Sequence, residues 1–381
     1  MTARGFYTLL FGALMMVTAL SVGSAGAFLL GVAALFAWAL GLLSVLTAMF
    51  TCRLEQDIPG GQAERGDVCR YTLRTRLATF LPIAPLSLRM CLPSGRQSEF
   101  MLSTRMIGTT ESENDFSCPH VGVFPVGITQ VGFGDCFGLF AFRHRVRQPL
   151  TPLTVLPCPA QSGPLTYSPG EGESTATQRA QADYTTPSDT RTWQDGDELK
   201  RVHWKLSMRR QELMVRTYET PQRPDALVLL DCAAPQVSDS QRPAVIDALT
   251  ETSAGVLKAL LDARHIARLP LSGSEMRELS GQEPEALPGM LSALAQERFA
   301  GPADFSSVLL LASRRMRRTG STAIVTARLT PAIADAVIAL GRMGPHTRFT
   351  LVTAGPLGEA QDKLMRLLEA SGIETEHVPA C

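Results

Sequence analysis

Residues 225–231 read Asp-Ala-Leu-Val-Leu-Leu-Asp, and this stretch decides the fold of the second half of the chain. The run Ala226 to Leu230 has no polar face. A strand of this kind belongs in a sheet covered on both sides. The same logic extends outward. Apolar runs at 266–271, 308–311, 322–326, 348–352 and 373–378 predict further strands. Amphipathic stretches at 242–263, 284–296, 331–343 and 358–371 predict helices between them. That alternation predicts an open, Rossmann-type parallel sheet. Ligands of such sheets sit beyond the carboxyl ends of the strands, where Asp231 stands. Cys232, beside it, reads as packing, because no His or acid is tied to it by sequence.

Just upstream lies the densest polar segment, Gly196 to Tyr218, GDELKRVHWKLSMRRQELMVRTY. It holds an Asp-Gly-Asp turn at 195–197, a His203-Trp204 pair and a cluster of basic side chains. Asp195, with Glu198 three residues on, is placed to cap a short helix. Residues 213–218 alternate as a strand with one buried face. They are expected at or near the edge of the α/β sheet, with His203 and Trp204 packed beneath. His203 reads as a structural group, since no nucleophile–base pair accompanies it. Before the block, residues 162–182 are rich in Gly, Ser, Thr and Pro and predict a linker or long loop.

The amino terminus is different again. From Phe6 to Phe50 there is no charged residue. The SVGSAG segment at 21–26 divides this stretch into apolar runs at 6–22 and 27–50, a transmembrane helical hairpin. Arg4 precedes the first run, and Arg53, Arg65, Arg70, Arg74 and Arg76 follow the second. The positive-inside rule places the turn outside and the rest of the chain in the cytoplasm. The competing reading is a cleaved signal peptide with Ala25-Gly26-Ala27 as its processing site, which leaves one span. From 53 to 158, short alternating runs at 68–73, 85–92 and 120–129 predict a small β-sandwich-like domain. Turn signals fall at 59–61, 93–95 and 132–135.

The chain has 381 residues, with 36 basic and 36 acidic side chains. The length accommodates several domains: the hairpin at 1–52, the β-sandwich-like domain at 53–158, a linker and polar block at 159–222 and the α/β domain at 223–381. The charge balance gives no sign of nucleic-acid binding. Eight cysteines are scattered without a C-x-x-C pair or zinc-ligand spacing. They read as free thiols in a reducing compartment.

The polar block resembles the bacterial and archaeal "domain of unknown function 58" family. That pattern runs aromatic-x-x-Gly-Asp, an Arg-rich segment, I-H-W-K and L-x-V-R-x-aromatic. Here Trp193, Gly196, Asp197, Arg201, His203, Trp204, Lys205, Leu213, Val215, Arg216 and Tyr218 match it. A D-P-F-G-L-F motif and a V-x-P strand precede it in the family. This chain has Asp135-Cys136-Phe137-Gly138-Leu139-Phe140, with Cys136 in place of Pro, and Val155-Leu156-Pro157.

The resemblance implies a multi-domain protein whose α/β domain is von Willebrand factor A-like. Such domains often hold Mg²⁺ through D-x-S-x-S after the first strand. Here Asp231 remains, but Ala233 and Pro235 replace both hydroxyls, and neither donates to a hard cation. The site is degenerate, and no cofactor is expected. The resemblance further implies a non-enzymatic, membrane-anchored scaffold in the bacterial inner membrane. Its expected partners are the lipid bilayer, a MoxR-type AAA+ ATPase and a transglutaminase-like membrane protein. The interaction residues are expected among Trp193, Gly196, Asp197, Arg201, His203, Trp204, Lys205, Arg216 and Tyr218. Two alternatives stand: a metal-dependent adhesion or sensing module using Asp231, and a hydrolase with an unrecognised site.

Overall fold

The computed structural model describes residues 2–58, 60–79, 81–93, 97–161, 163, 189–194, 202–217, 225–272, 276–301, 304–314 and 319–380. Most of the expected linker at 162–182 lies outside these residues, as do Gly196, Asp197, Arg201 and Tyr218. The chain divides into two compact units, Met1–Pro157 and Cys158–Cys381.

The first unit opens with two antiparallel helices, α1 (Ala3–Val22) and α2 (Ala25–Thr51). Both are long and apolar enough to cross a membrane. Gly23 in the left-handed conformation ends α1, and the Ser24 side chain caps α2. The two helices approach closely because α1 buries Gly5, Gly12 and Ala19, which share one face at seven-residue spacing. A side chain at Gly12 would lie 2.9 Å from Leu35 Cγ.

After Cys52 the chain builds two β layers. One is β1 (Arg53–Asp57), β3 (Val68–Ala78) and β6 (Ile107–Ser117), in the order β1-β3-β6. The other comprises β2 (Gly61–Glu64), β4 (Leu86–Cys91), β5 (Gln97–Leu102), β7 (Gly122–Gly134), β8 (Ala141–Arg145) and β9 (Thr151–Leu156). Its path is β2-β9-β7-β4-β5, with β8 on β7. The expected turn at 132–135 is displaced: residues 132–134 complete β7, and the turn is 135–140. Gly132 to Gly134 pair with Arg143 to Ala141 across the ladder, so the glycines extend the strand. One core runs through this unit. It includes Val45 and Ala48 of α2 beside Leu73, Leu88 and Ile128 of the strands. The last two turns of α2 therefore belong to the sandwich core.

The second unit carries a six-stranded sheet in the order β14-β13-β12-β15-β16-β17. Its strands are β12 (Asp225–Leu230), β13 (Ala267–Ser272), β14 (Met276–Gly281), β15 (Thr319–Thr326), β16 (His346–Thr353) and β17 (Glu374–Pro379). All neighbours are parallel except β13 and β14. Between the strands run α4 (Arg242–Asp262), α5 (Leu287–Gln296), α6 (Phe305–Ser313), α7 (Pro331–Gly341) and α8 (Glu359–Ala370). Two apolar clusters lie on opposite faces. One gathers Val228, Leu230 and Val325 with Leu249 and Leu257 of α4. The other gathers Leu227, Leu229 and Phe349 with Phe305, Val337 and Leu368.

Two expectations are corrected here. Residues 308–311 are not a strand; they lie inside α6. Phe305 and Leu309, one turn apart, are its buried residues, and both neighbours of β12 are already β13 and β15. A short apolar run does not distinguish helix from strand by itself. The sheet also gains β14, whose sequence carries no apolar run. Arg268 of β13 holds it by pairing with Glu278 of β14 at 2.6 Å and Asp225 of β12 at 2.8 Å.

Candidate functional site

The polar block folds as a small module of its own within the second unit. Strand β10 (Asp189–Thr192) pairs antiparallel with β11 (Met214–Thr217), bringing Thr192 opposite Met214 and Thr190 opposite Arg216. The expected place of 213–218 at the edge of the α/β sheet is thus corrected. Its partner is the strand just upstream of the block, and the sheet's outer strands are β14 and β17. Trp193 continues the ribbon by donating its backbone N–H to Leu213 O at 2.8 Å.

Between the strands sits α3 (Trp204–Arg210). His203 is its N-cap: Nδ1 accepts the Leu206 N–H at 3.1 Å, and its own backbone N–H donates to Met214 O at 2.8 Å. The ring is thereby fixed as an acceptor at Nδ1. Ser207, buried, joins helix to ribbon. Its Oγ accepts the Met214 N–H at 2.8 Å and donates to His203 O at 3.1 Å. Gln211, left-handed at φ 58°, stops the helix.

Trp204, in the first turn of α3, faces out. The expectation that Trp204 lies beneath the strand is corrected: its side chain is 60 % exposed. Met208, one turn on, is 81 % exposed. Residues four apart on a helix share a face. Lys205 and Arg209, each one residue on, are exposed along one flank of this pair. The block therefore presents an apolar Trp–Met face with a basic margin.

The second place that draws attention is the carboxyl end of β12. Its neighbours, β13 and β15, continue the chain in opposite directions across the sheet, so this is a topological switch point. Asp231 is buried there, and every side of its carboxylate is occupied. Oδ1 accepts the Ala233 N–H at 3.1 Å and Arg328 Nη2 at 2.9 Å. Oδ2 accepts the Thr326 hydroxyl at 2.8 Å and Arg328 Nε at 3.0 Å. The charge is neutralised by a guanidinium, and the Asx turn to Ala233 sets the chain's exit from the strand. Nothing in the sequence tied Arg328 to Asp231. Cys232 is fully buried, and burial pushes its thiol up to about 12. A thiol so raised is no nucleophile at neutral pH. Among the described residues no group of three His, Cys, Asp or Glu side chains converges as a metal site.

A cavity of about 340 Å³ opens on the other side of β12 and β13, lined by Leu227, Leu229, Pro270, Val308 and Leu311, with Arg268 at its margin. Ser272, Arg277 and Glu278 also line it.

Residues 189–350 match the model of the family described as "Protein of unknown function DUF58". The segment runs from β10 into β16 and contains the whole block, in agreement with the motif resemblance. A comparison with curated proteins found no match. Among solved structures, Cwp6 from Clostridium difficile aligns over 86% of this chain at 9% identity, with a TM-score of 0.19. The chain spans about 37% of the length of that protein. A score this low carries no argument.

Proposed function

We propose that this protein is a membrane-anchored scaffold whose cytoplasmic α/β unit, read as von Willebrand factor A-like, docks a protein partner without catalysing a reaction. The reading makes α1 and α2 a multi-pass anchor in the bacterial inner membrane, consistent with their length and apolar surface. One observation carries the docking role. A Trp and a Met stand exposed one turn apart on α3, with Lys205 and Arg209 along one flank. Aromatic residues, Met and Arg are enriched in protein interfaces. The partner proposed from the family resemblance is a MoxR-type AAA+ ATPase, alongside a transglutaminase-like membrane protein. The Arg328–Asp231 pair speaks against a cation at the switch point, since it already neutralises the carboxylate.

The test is a pull-down with the tagged full-length chain, solubilised in detergent and read by mass spectrometry. The expected result is capture of an AAA+ ATPase by the wild type and its loss in the Trp204→Ala/Met208→Ala variant. Equal capture by both would remove the docking role from this face.

A further inference from the structure

The Asp135–Phe140 motif is a socket for the start of α1. The Asp135 carboxylate, buried, accepts the Phe137 N–H at 3.0 Å and the Phe140 N–H at 2.6 Å. Gly138 takes the left-handed turn position at φ 71°. The carbonyls of Gly138 and Leu139 then face outward and receive Thr2. Its Oγ1 donates to them at 2.8 and 2.7 Å, and its backbone N–H reaches Leu139 O at 3.0 Å. Thr2 is also the N-cap of α1. Trp38 of α2 donates to Gly5 O at 3.1 Å and packs edge-on against Phe140 at 5.2 Å. The turn and the first turn of α1 are thus at one level.

That level is set by length. Helix α1 has 20 residues; at about 1.5 Å each this is about 30 Å, the thickness of bilayer hydrocarbon. No residue of α1 is spare, so its first turn must lie at the hydrocarbon boundary. Helix α2 has 27 residues, and its surplus is what enters the sandwich core. Phe137, at the tip of the turn, is 59 % exposed while Leu139 and Phe140 are buried. Phe6 and Tyr7 are exposed on the adjoining turn of α1. A Cβ at Gly138 would lie 3.7 Å from Arg4 Nη1, which places that cation over the same turn.

We propose that the turn between β7 and β8 is a second, non-helical bilayer contact, in which Phe137 enters the headgroup–acyl boundary beside α1 and Arg4 lies at the lipid phosphates. Amphipathic and aromatic side chains favour this zone, and basic side chains reach phosphate from it. The inference rests on the reading of α1 and α2 as membrane spans.

The experiment uses full-length Phe137→Trp and Phe36→Trp variants in phosphatidylcholine–phosphatidylglycerol vesicles, with and without bromine on the acyl chains. Phe36 is 63 % exposed in mid-α2 and reports the span itself. Wild-type emission is subtracted from each. Quenching of both added tryptophans by bromolipid, with Phe137→Trp quenched most by bromine near the headgroup, is the expected result. Quenching at position 36 alone, with position 137 open to aqueous acrylamide, would overturn the lipid contact and leave the turn for a soluble partner. Quenching at neither would overturn the membrane reading, and the contact with it.

Discussion

Arg328 grips Asp231 with a two-pronged ion pair, Nε to Oδ2 at 3.0 Å and Nη2 to Oδ1 at 2.9 Å, across the switch point of the α/β sheet. The side chains are 14 % and 3 % exposed. Removing one partner of a buried pair leaves the other charge uncompensated, at a cost of about 3–5 kcal/mol. Asp231→Ala in the full-length protein is expected to lose stability of that order by denaturant titration. A loss under about 1 kcal/mol, the size typical of exposed pairs, would show that the pair is not holding this strand end.

The same pair makes a prediction about metal. A carboxylate already accepting four hydrogen bonds has no lone pair left for a hard cation. The melting temperature of the wild type is expected to be equal in millimolar Mg²⁺ and in chelator. A saturable stabilisation by Mg²⁺ that disappears in Asp231→Ala would overturn this, since a ligand that binds only the folded state raises its stability.

On α3, neighbouring positions should behave in opposite ways. Trp204 is exposed, so Trp204→Ala is expected to change stability by no more than about 0.5 kcal/mol. Ser207 is buried and bonded to both His203 and Met214, so Ser207→Ala should cost about 1–3 kcal/mol through the unsatisfied Met214 N–H. Thermal melts separate the two. A large loss in Trp204→Ala would mean that the indole is covered.

In the hairpin, Gly12 sits where a Cβ would press on Leu35. Gly12→Leu is expected to cost about 1–3 kcal/mol by overpacking and to hasten proteolysis of the detergent-solubilised chain. Val17→Leu, on an exposed site of the same helix, should do neither. Equal protease sensitivity in the two variants would refute the close approach of the helices.

Thiol chemistry should sort by burial. Cys158 is exposed, whereas burial raises both Cys232 and Cys118 to about 12, with the nearby Cys69 adding to the rise at Cys118. Thiolate is the reactive form, so at pH 8 iodoacetamide should modify Cys158 in the folded protein. Cys118 and Cys232 should react only after denaturation. Peptide mapping by mass spectrometry reads the outcome, and early modification of Cys232 would contradict its burial.

The sequence alone determined the alternation of the second unit, because strands buried on both faces must be continuously apolar and their helices must be amphipathic. It determined the two apolar helices and the short strands after them for the same kind of local reason. It read His203 as a structural group, and the fold makes it the N-cap of α3. The fate of each apolar surface depended on what packs against it. Lipid-facing and core-facing residues have one composition, so the run at 27–50 could not show that α2 ends inside the sandwich core. The run at 308–311 looked the same as strand or helix until β13 and β15 filled the places beside β12. Trp204 was expected beneath the strand at 213–218, yet in the folded chain it stands exposed on α3, and it is Ser207 that bonds to that strand. Strand β14 has no apolar signature, and cross-strand pairing through Arg268 supplies what its sequence lacks. Asp231 was legible as a candidate, but its partner lies 97 residues away. Only the folding of β15 against β12 brings Arg328 to it, and that contact turns a carboxylate with the look of a ligand into half of an ion pair.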